Sequence, residues 1–112
     1  MSEILYHYTS ETGYKGILQS NKINPSLRAH NPKDARFGDG QYVSDIIPGT
    51  KRSGQLSMIF FGIPWAGKRF SHHININVQG LAVVYGRPYV YLLITSEPLD
   101  ISTRLVGHGA LS

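Results

Sequence analysis

At 112 residues, with 41% hydrophobic and only 16% charged side chains, the chain can bury one modest core and is too apolar for a disordered tail. The absence of cysteine excludes a disulfide scaffold, a thiolate metal site and a cysteine nucleophile. A net charge of +4 points to an anionic partner, nucleic acid or a dinucleotide, or to a basic surface with no partner.

A single domain over 1–112 is expected. No stretch approaches the ~20 apolar residues of a membrane span. Met1-Ser2-Glu3-Ile4 lacks the basic and long apolar regions of a signal peptide. No membrane partner is expected.

Glu3 to Thr9 alternates around Ile4, Tyr6 and Tyr8 and is predicted to be a strand. Ser10 can N-cap a following helix, with Glu11 in the first turn, where the helix dipole favours an anion. Tyr14, Ile17 and Leu18 give that helix one apolar face, and Gln19-Ser20-Asn21 ends it. Lys22-Ile23-Asn24 is a brief extended piece before Pro25. The polar loop from Pro25 to Arg36 is long for a connector, which favours a functional role.

Gln41 to Ile47 is predicted as a strand and Gln55 to Phe61 as a short helix. Leu56, Ile59 and Phe60 lie on one face of that helix. Phe70–Val78, Leu81–Tyr85, Tyr89–Thr95 and a short Leu99-Asp100-Ile101 complete a run of strands. This order predicts an α+β fold with a largely antiparallel sheet.

Two phrases carry the candidate chemistry. The first is Tyr6-His7-Tyr8-Thr9-Ser10, where His7 stands near a strand end and can bond a ligand hydroxyl. The second is Phe37-Gly38-Asp39-Gly40-Gln41-Tyr42-Val43-Ser44-Asp45, a two-glycine turn that can approach a ligand closely. Tyr42 follows the turn and offers a ring on which a flat heteroaromatic group can stack. Phe60 or Phe61 is a candidate for a second aromatic wall. Each of these side chains also has an ordinary structural explanation, as a backbone-bonded histidine or a core aromatic. His72-His73 is no metal motif, because adjacent strand residues point to opposite faces. No metal is predicted.

The two phrases resemble the ADP-ribosyltransferases of the diphtheria-toxin and poly(ADP-ribose) polymerase type. In that group a first strand carries His-Gly-Thr or His-Gly-Ser, and a later segment reads Phe-Gly-x-Gly-x-Tyr-Phe-x-Asp. The compact His-Tyr-Asp class found in bacterial polymorphic toxins is similar over nearly the whole chain. The phrases Asn31-Pro32-Lys33-Asp34-Ala35-Arg36 and Glu97-Pro98-Leu99-Asp100-Ile101-Ser102 add to the likeness.

The resemblance implies a split antiparallel sheet core with two short helices. It also implies NAD as a substrate, with no metal, in a mono-ADP-ribosyltransferase that releases nicotinamide. His7 would hold a ribose hydroxyl, and the backbone of Tyr8 would bond the carboxamide. Tyr42 would stack on nicotinamide, with Phe60 or Phe61 opposite. Thr9, Lys22 and Arg36 would serve the adenosine and diphosphate portions. Gly38 and Gly40 would shape the turn, and the Pro25–Arg36 loop would cover the dinucleotide. Its implied partners are NAD, a protein or RNA acceptor, and an immunity protein. It would be a monomer acting in a cytoplasm, including that of a target cell after delivery within a larger toxin.

The chain departs from the group at one place. The group carries a glutamate ahead of its penultimate strand, where this chain reads Gly86-Arg87-Pro88-Tyr89-Val90-Tyr91. At ~3.3 Å per residue, Glu97 and Asp100 fall over ~20 Å beyond Pro88. Asp39 and Asp45, close to Tyr42, are the candidate acids, with Asp39 preferred. Alternatives of the same fold are an NAD glycohydrolase and an RNA-modifying enzyme, which would use Lys51, Arg52, Lys68 and Arg69. A non-catalytic NAD-binding module is a third.

Overall fold

The computed structural model describes residues 3–30 and 35–111. Strand β1 (Ile4–Thr9) buries Leu5 and Tyr8. Ser10 ends it in an extended conformation, and its hydroxyl accepts from the Gly13 N–H at 3.2 Å. That cap starts helix α1 (Glu11–Ser20), which buries Ile17. Asn21 ends the helix with φ of 57°, a left-handed stop that asparagine tolerates.

The chain continues as β2 (Lys22–Ile23), β3 (Gly40–Val43), helix α2 (Ser53–Phe61) and a 3₁₀ turn (Gly67–Phe70). Then come β4 (His72–Asn77), β5 (Val83–Arg87), β6 (Val90–Ile94), β7 (Leu99–Asp100) and β8 (Leu105–Ala110). The strands form three antiparallel groups, ordered β1-β4-β8, β2-β7 and β3-β6-β5. The architecture is α+β, as the element order predicts.

Two apolar clusters hold these layers. One joins Leu5, Ile17, Ile23, Val43, Ile74, Ile76, Leu93 and Ile101, so it welds α1 and strands of all three groups. Fully burying each aliphatic side chain stabilises the fold by about 1.5–3 kcal/mol. The other joins Tyr8, Ile46 and Leu56, with Phe60 and Phe70 packed against them.

Some boundaries differ from expectation. The strand expected over Gln41–Ile47 leaves its sheet at Val43, because Ser44 pairs instead with Tyr6 of β1. Ile47 then lies 59% exposed. The strand expected from Phe70 begins at His72, since Phe70 closes the 3₁₀ turn and sets its ring 5.2 Å from Phe60. Strand β8 has no counterpart among the sequence predictions. Its glycines and histidine carry little β-propensity, and pairing to β4 imposes the conformation.

Gly40 fixes where β3 meets β6. Its φ is +149°, and an added Cβ would lie 2.0 Å from the Leu93 carbonyl oxygen. Gly40→Ala is therefore expected to cost about 3 kcal/mol or more, through backbone displacement and strain. Urea unfolding checks this; a loss below ~1 kcal/mol would mean the strand pair shifts freely.

Candidate functional site

The site begins with a backbone link between two sheets. The Tyr6 N–H donates to the Ser44 carbonyl at 2.9 Å, and the Ser44 N–H donates back to the Tyr6 carbonyl at 2.8 Å. This sets β1 beside the end of β3. One residue along, His7 Nδ1 lies 2.9 Å from the Tyr42 carbonyl oxygen. A carbonyl only accepts, so Nδ1 carries the hydrogen, and a neutral ring leaves Nε2 as an acceptor. Burial pulls the His7 pKa below its ordinary 6.5, outweighing the opposing effect of the Tyr42 carbonyl. His7 is thus neutral at neutral pH.

Tyr42 is held at its far end. Its hydroxyl donates to the Gly38 carbonyl at 2.7 Å and accepts from the Phe37 N–H at 2.9 Å. The glycine turn therefore closes on the tyrosine that follows it. Burial, chiefly, raises the phenol above its ordinary value, so it stays protonated and keeps donating.

Helix α2 and the 3₁₀ turn supply another wall. The Phe60 ring lies 5.9 Å from Tyr8, and Phe61 meets Phe70 edge-on at 5.7 Å. The Arg69 guanidinium sits 4.1 Å from the centre of the Phe61 ring, a cation–π contact. A cleft of about 330 Å³ lies among these elements. Its charged lining among the described residues is cationic, from Arg36, Arg69 and Arg87.

Of the candidates from sequence, His7, Tyr8, Thr9, Arg36, Tyr42, Phe60 and Phe61 line this one cleft. Both phenylalanines reach it, where one wall ring was expected. The Tyr8 side chain turns to the core. Its hydroxyl donates to the Ile46 carbonyl at 2.6 Å, and burial raises its pKa.

Lys22, Gly38, Asp39, Gly40 and Asp45 do not line the cleft. Lys22 sits in β2, across from Asp100. The Asp39 carboxylate accepts from the Arg28 N–H at 2.7 Å, so it braces the loop rather than the cleft. Gly38 and Gly40 act behind it, one as the acceptor for Tyr42 and the other beneath Leu93. Asp45 is also occupied elsewhere, accepting from the Tyr91 hydroxyl at 3.2 Å. The Asn31-Pro32-Lys33-Asp34 part of the long loop lies outside the described residues.

Phe70 and Arg87 line the cleft without having been singled out as ligand contacts. Phe70 had no such signal, and the motif position of Arg87 marked only a missing acid, because each reaches the cleft from a different part of the fold. His72 and His73 diverge to separate neighbours, Tyr14 and Asn75. Among the described residues no cluster of three or more histidine, aspartate or glutamate side chains could hold a metal.

A family described as "HYD1 signature containing ADP-ribosyltransferase" matches residues 5–105. Neither a curated protein nor a solved structure matches the chain.

Two outcomes are expected from this geometry. The folded state resists protonating His7, whereas the unfolded chain protonates near 6.5. The His7 share of stability is therefore full above that pH and lost as pH falls from 6.5 toward the lowered folded-state value. Thermal unfolding across this range should show a smaller acid loss in His7→Gln than in wild type. Tyr42→Phe, which frees the Phe37 N–H and Gly38 carbonyl, should cost about 1–2 kcal/mol in urea unfolding.

Proposed function

The chain belongs to the HYD1-signature ADP-ribosyltransferases, a toxin family, and from that premise we propose that its cleft takes NAD and releases nicotinamide. It transfers one ADP-ribose to a macromolecular acceptor. The observation that carries this reading is the convergence of His7, Tyr42, Phe60 and Phe61 on one cleft with a cationic lining.

The lining suits NAD group by group. The rings of Tyr42, Phe60 and Phe61 suit the flat nicotinamide. The free Nε2 of neutral His7 accepts from a ribose hydroxyl, an orientation fixed by the Tyr42 carbonyl. Arg36, at the end of the long loop, pairs with a phosphate. In the reaction the bond from ribose C1′ to the nicotinamide nitrogen breaks. Its electron pair goes to the ring, which becomes neutral. The ribose carbon turns oxocarbenium-like and is captured by the acceptor's lone pair, and the acceptor's proton passes to solvent. The chain's own contribution is to hold ring and ribose in one orientation.

Arg87 or Pro88 stands where the family pattern has its glutamate, and Arg87 lines the cleft; this favours a second reading, a module that binds NAD without consuming it. Asp39 and Asp45 are bonded outside the cleft and do not argue against that reading. As a toxin domain the chain would work inside a target cell, with a protein acceptor and an immunity protein as partners. An RNA acceptor is the alternative; its binding would fall steeply with salt.

Nicotinamide release from NAD, with and without cell lysate, tests the proposal. Release only with lysate identifies a transferase. Release without it identifies an NAD glycohydrolase. NAD binding without release identifies the binding module. Tyr42→Ala is expected to lower release about 100-fold or more, and His7→Ala about 10-fold to 100-fold, with the fold retained. Tyr42→Phe keeps the ring and should keep most of the turnover. Undiminished release in Tyr42→Ala would remove the cleft from the reaction.

A further inference from the structure

Arg87 occupies an unusual position. One of its nitrogens, Nη2, lies 2.7 Å from the Ile59 carbonyl oxygen and 3.2 Å from that of Phe60. Both carbonyls belong to the last turn of α2, where no intrahelical N–H can reach them. The helix has no basic residue in that turn, so its negative end meets a cation brought by β5. Among the described residues no protein group bonds Arg87 Nη1 or Nε, and the side chain lines the cleft.

The local backbone is arranged around this side chain. The β5–β6 register shifts between Tyr85 and Arg87. In an unbroken strand residues 85 and 87 share a face, and Tyr85 is 58% exposed. The bulge re-aims Arg87 toward α2. Gly86 sits against the Phe37 ring, where a Cβ would come within 2.9 Å. Two residues after Arg87, Tyr89 has φ of +72°, which a bulky side chain rarely adopts. Gly86 thus abuts the Phe37–Tyr42 wall, while Arg87 grips the Phe60–Phe61 wall.

We propose that Arg87 is the positioning residue of the cleft. It fixes the aromatic wall of α2 through the Ile59 and Phe60 carbonyls. It also offers one remaining N–H, that of Nη1 or that of Nε, to a phosphate oxygen of the dinucleotide. The second part rests on the reading of the cleft as an NAD site. One guanidinium then couples anion binding to the order of the ring wall, which a compact ammonium cannot do equally well.

The test uses Arg87→Met and Arg87→Lys in the full chain. Hydrogen exchange reads the wall without any ligand. Arg87→Met should speed exchange of the Gly62 amide, which bonds the Met58 carbonyl, by about 10-fold or more, while β1 and β4 amides change little. Unchanged or uniformly faster exchange would overturn the positioning role. Titration with ADP-ribose reads the phosphate contact. Arg87→Met should bind at least about 10-fold more weakly, and Arg87→Lys should restore wall protection but only part of the affinity. Equal binding by wild type and Arg87→Met would overturn the phosphate contact. A wild type that binds neither ADP-ribose nor NAD would instead overturn the NAD reading, and the exchange result would still decide the wall.

Discussion

The candidate site depends on the paired hydrogen bonds between Tyr6 and Ser44. These join the β1-β4-β8 group to the end of β3, which otherwise pairs with β6. Two net backbone bonds contribute only about 1 kcal/mol each. Their effect is geometric. They fix the offset between the strands, and that offset delivers the Tyr42 carbonyl to His7 Nδ1. The carbonyl selects the tautomer, and burial keeps the ring neutral. A shift of one residue would send the histidine to the other face.

Around this link, the fold closes one aromatic wall by local contacts and another by distant ones. Tyr42 is secured within its own turn through Phe37 and Gly38. The α2 wall relies on residues far along the chain: Tyr8 and Phe70 for ring packing, Arg87 for its terminal carbonyls. The cations divide in the same way. Arg69 is stacked on Phe61, and Arg87 is set against a helix end, so both are oriented before any ligand arrives. Orienting donors in advance lowers the cost of binding an anion.

Much of the architecture was legible in the chain. The strand ahead of Ser10, the Ser10 cap and the Asn21 stop each express a local preference, and the structure keeps all three, although β1 buries Leu5 and Tyr8 rather than alternate residues. Where the expectation differed, a distant partner decided. Ser44 left β3 to pair with Tyr6, and β8 formed on β4 despite its glycines. Among site residues, His7 and Tyr42 were visible because each sits in a phrase with its own turn chemistry. Asp39 and Lys22 were plausible by charge and proximity in sequence. Neither property says which way a side chain faces or which backbone N–H it meets first.

By itself the sequence determined most of the element types, the absence of thiol chemistry, the basic balance and the two phrases that mark the family. These follow from periodicity, composition and turn residues, which act over a few positions. Tertiary structure alone decided that His7 is neutral with Nε2 as its acceptor, because burial and the Tyr42 carbonyl come from another strand. It alone decided that Asp39 braces a loop and that Arg87 holds the end of α2. Burial and hydrogen bonding across the fold set those roles, and neither is a property of a residue and its neighbours in the chain.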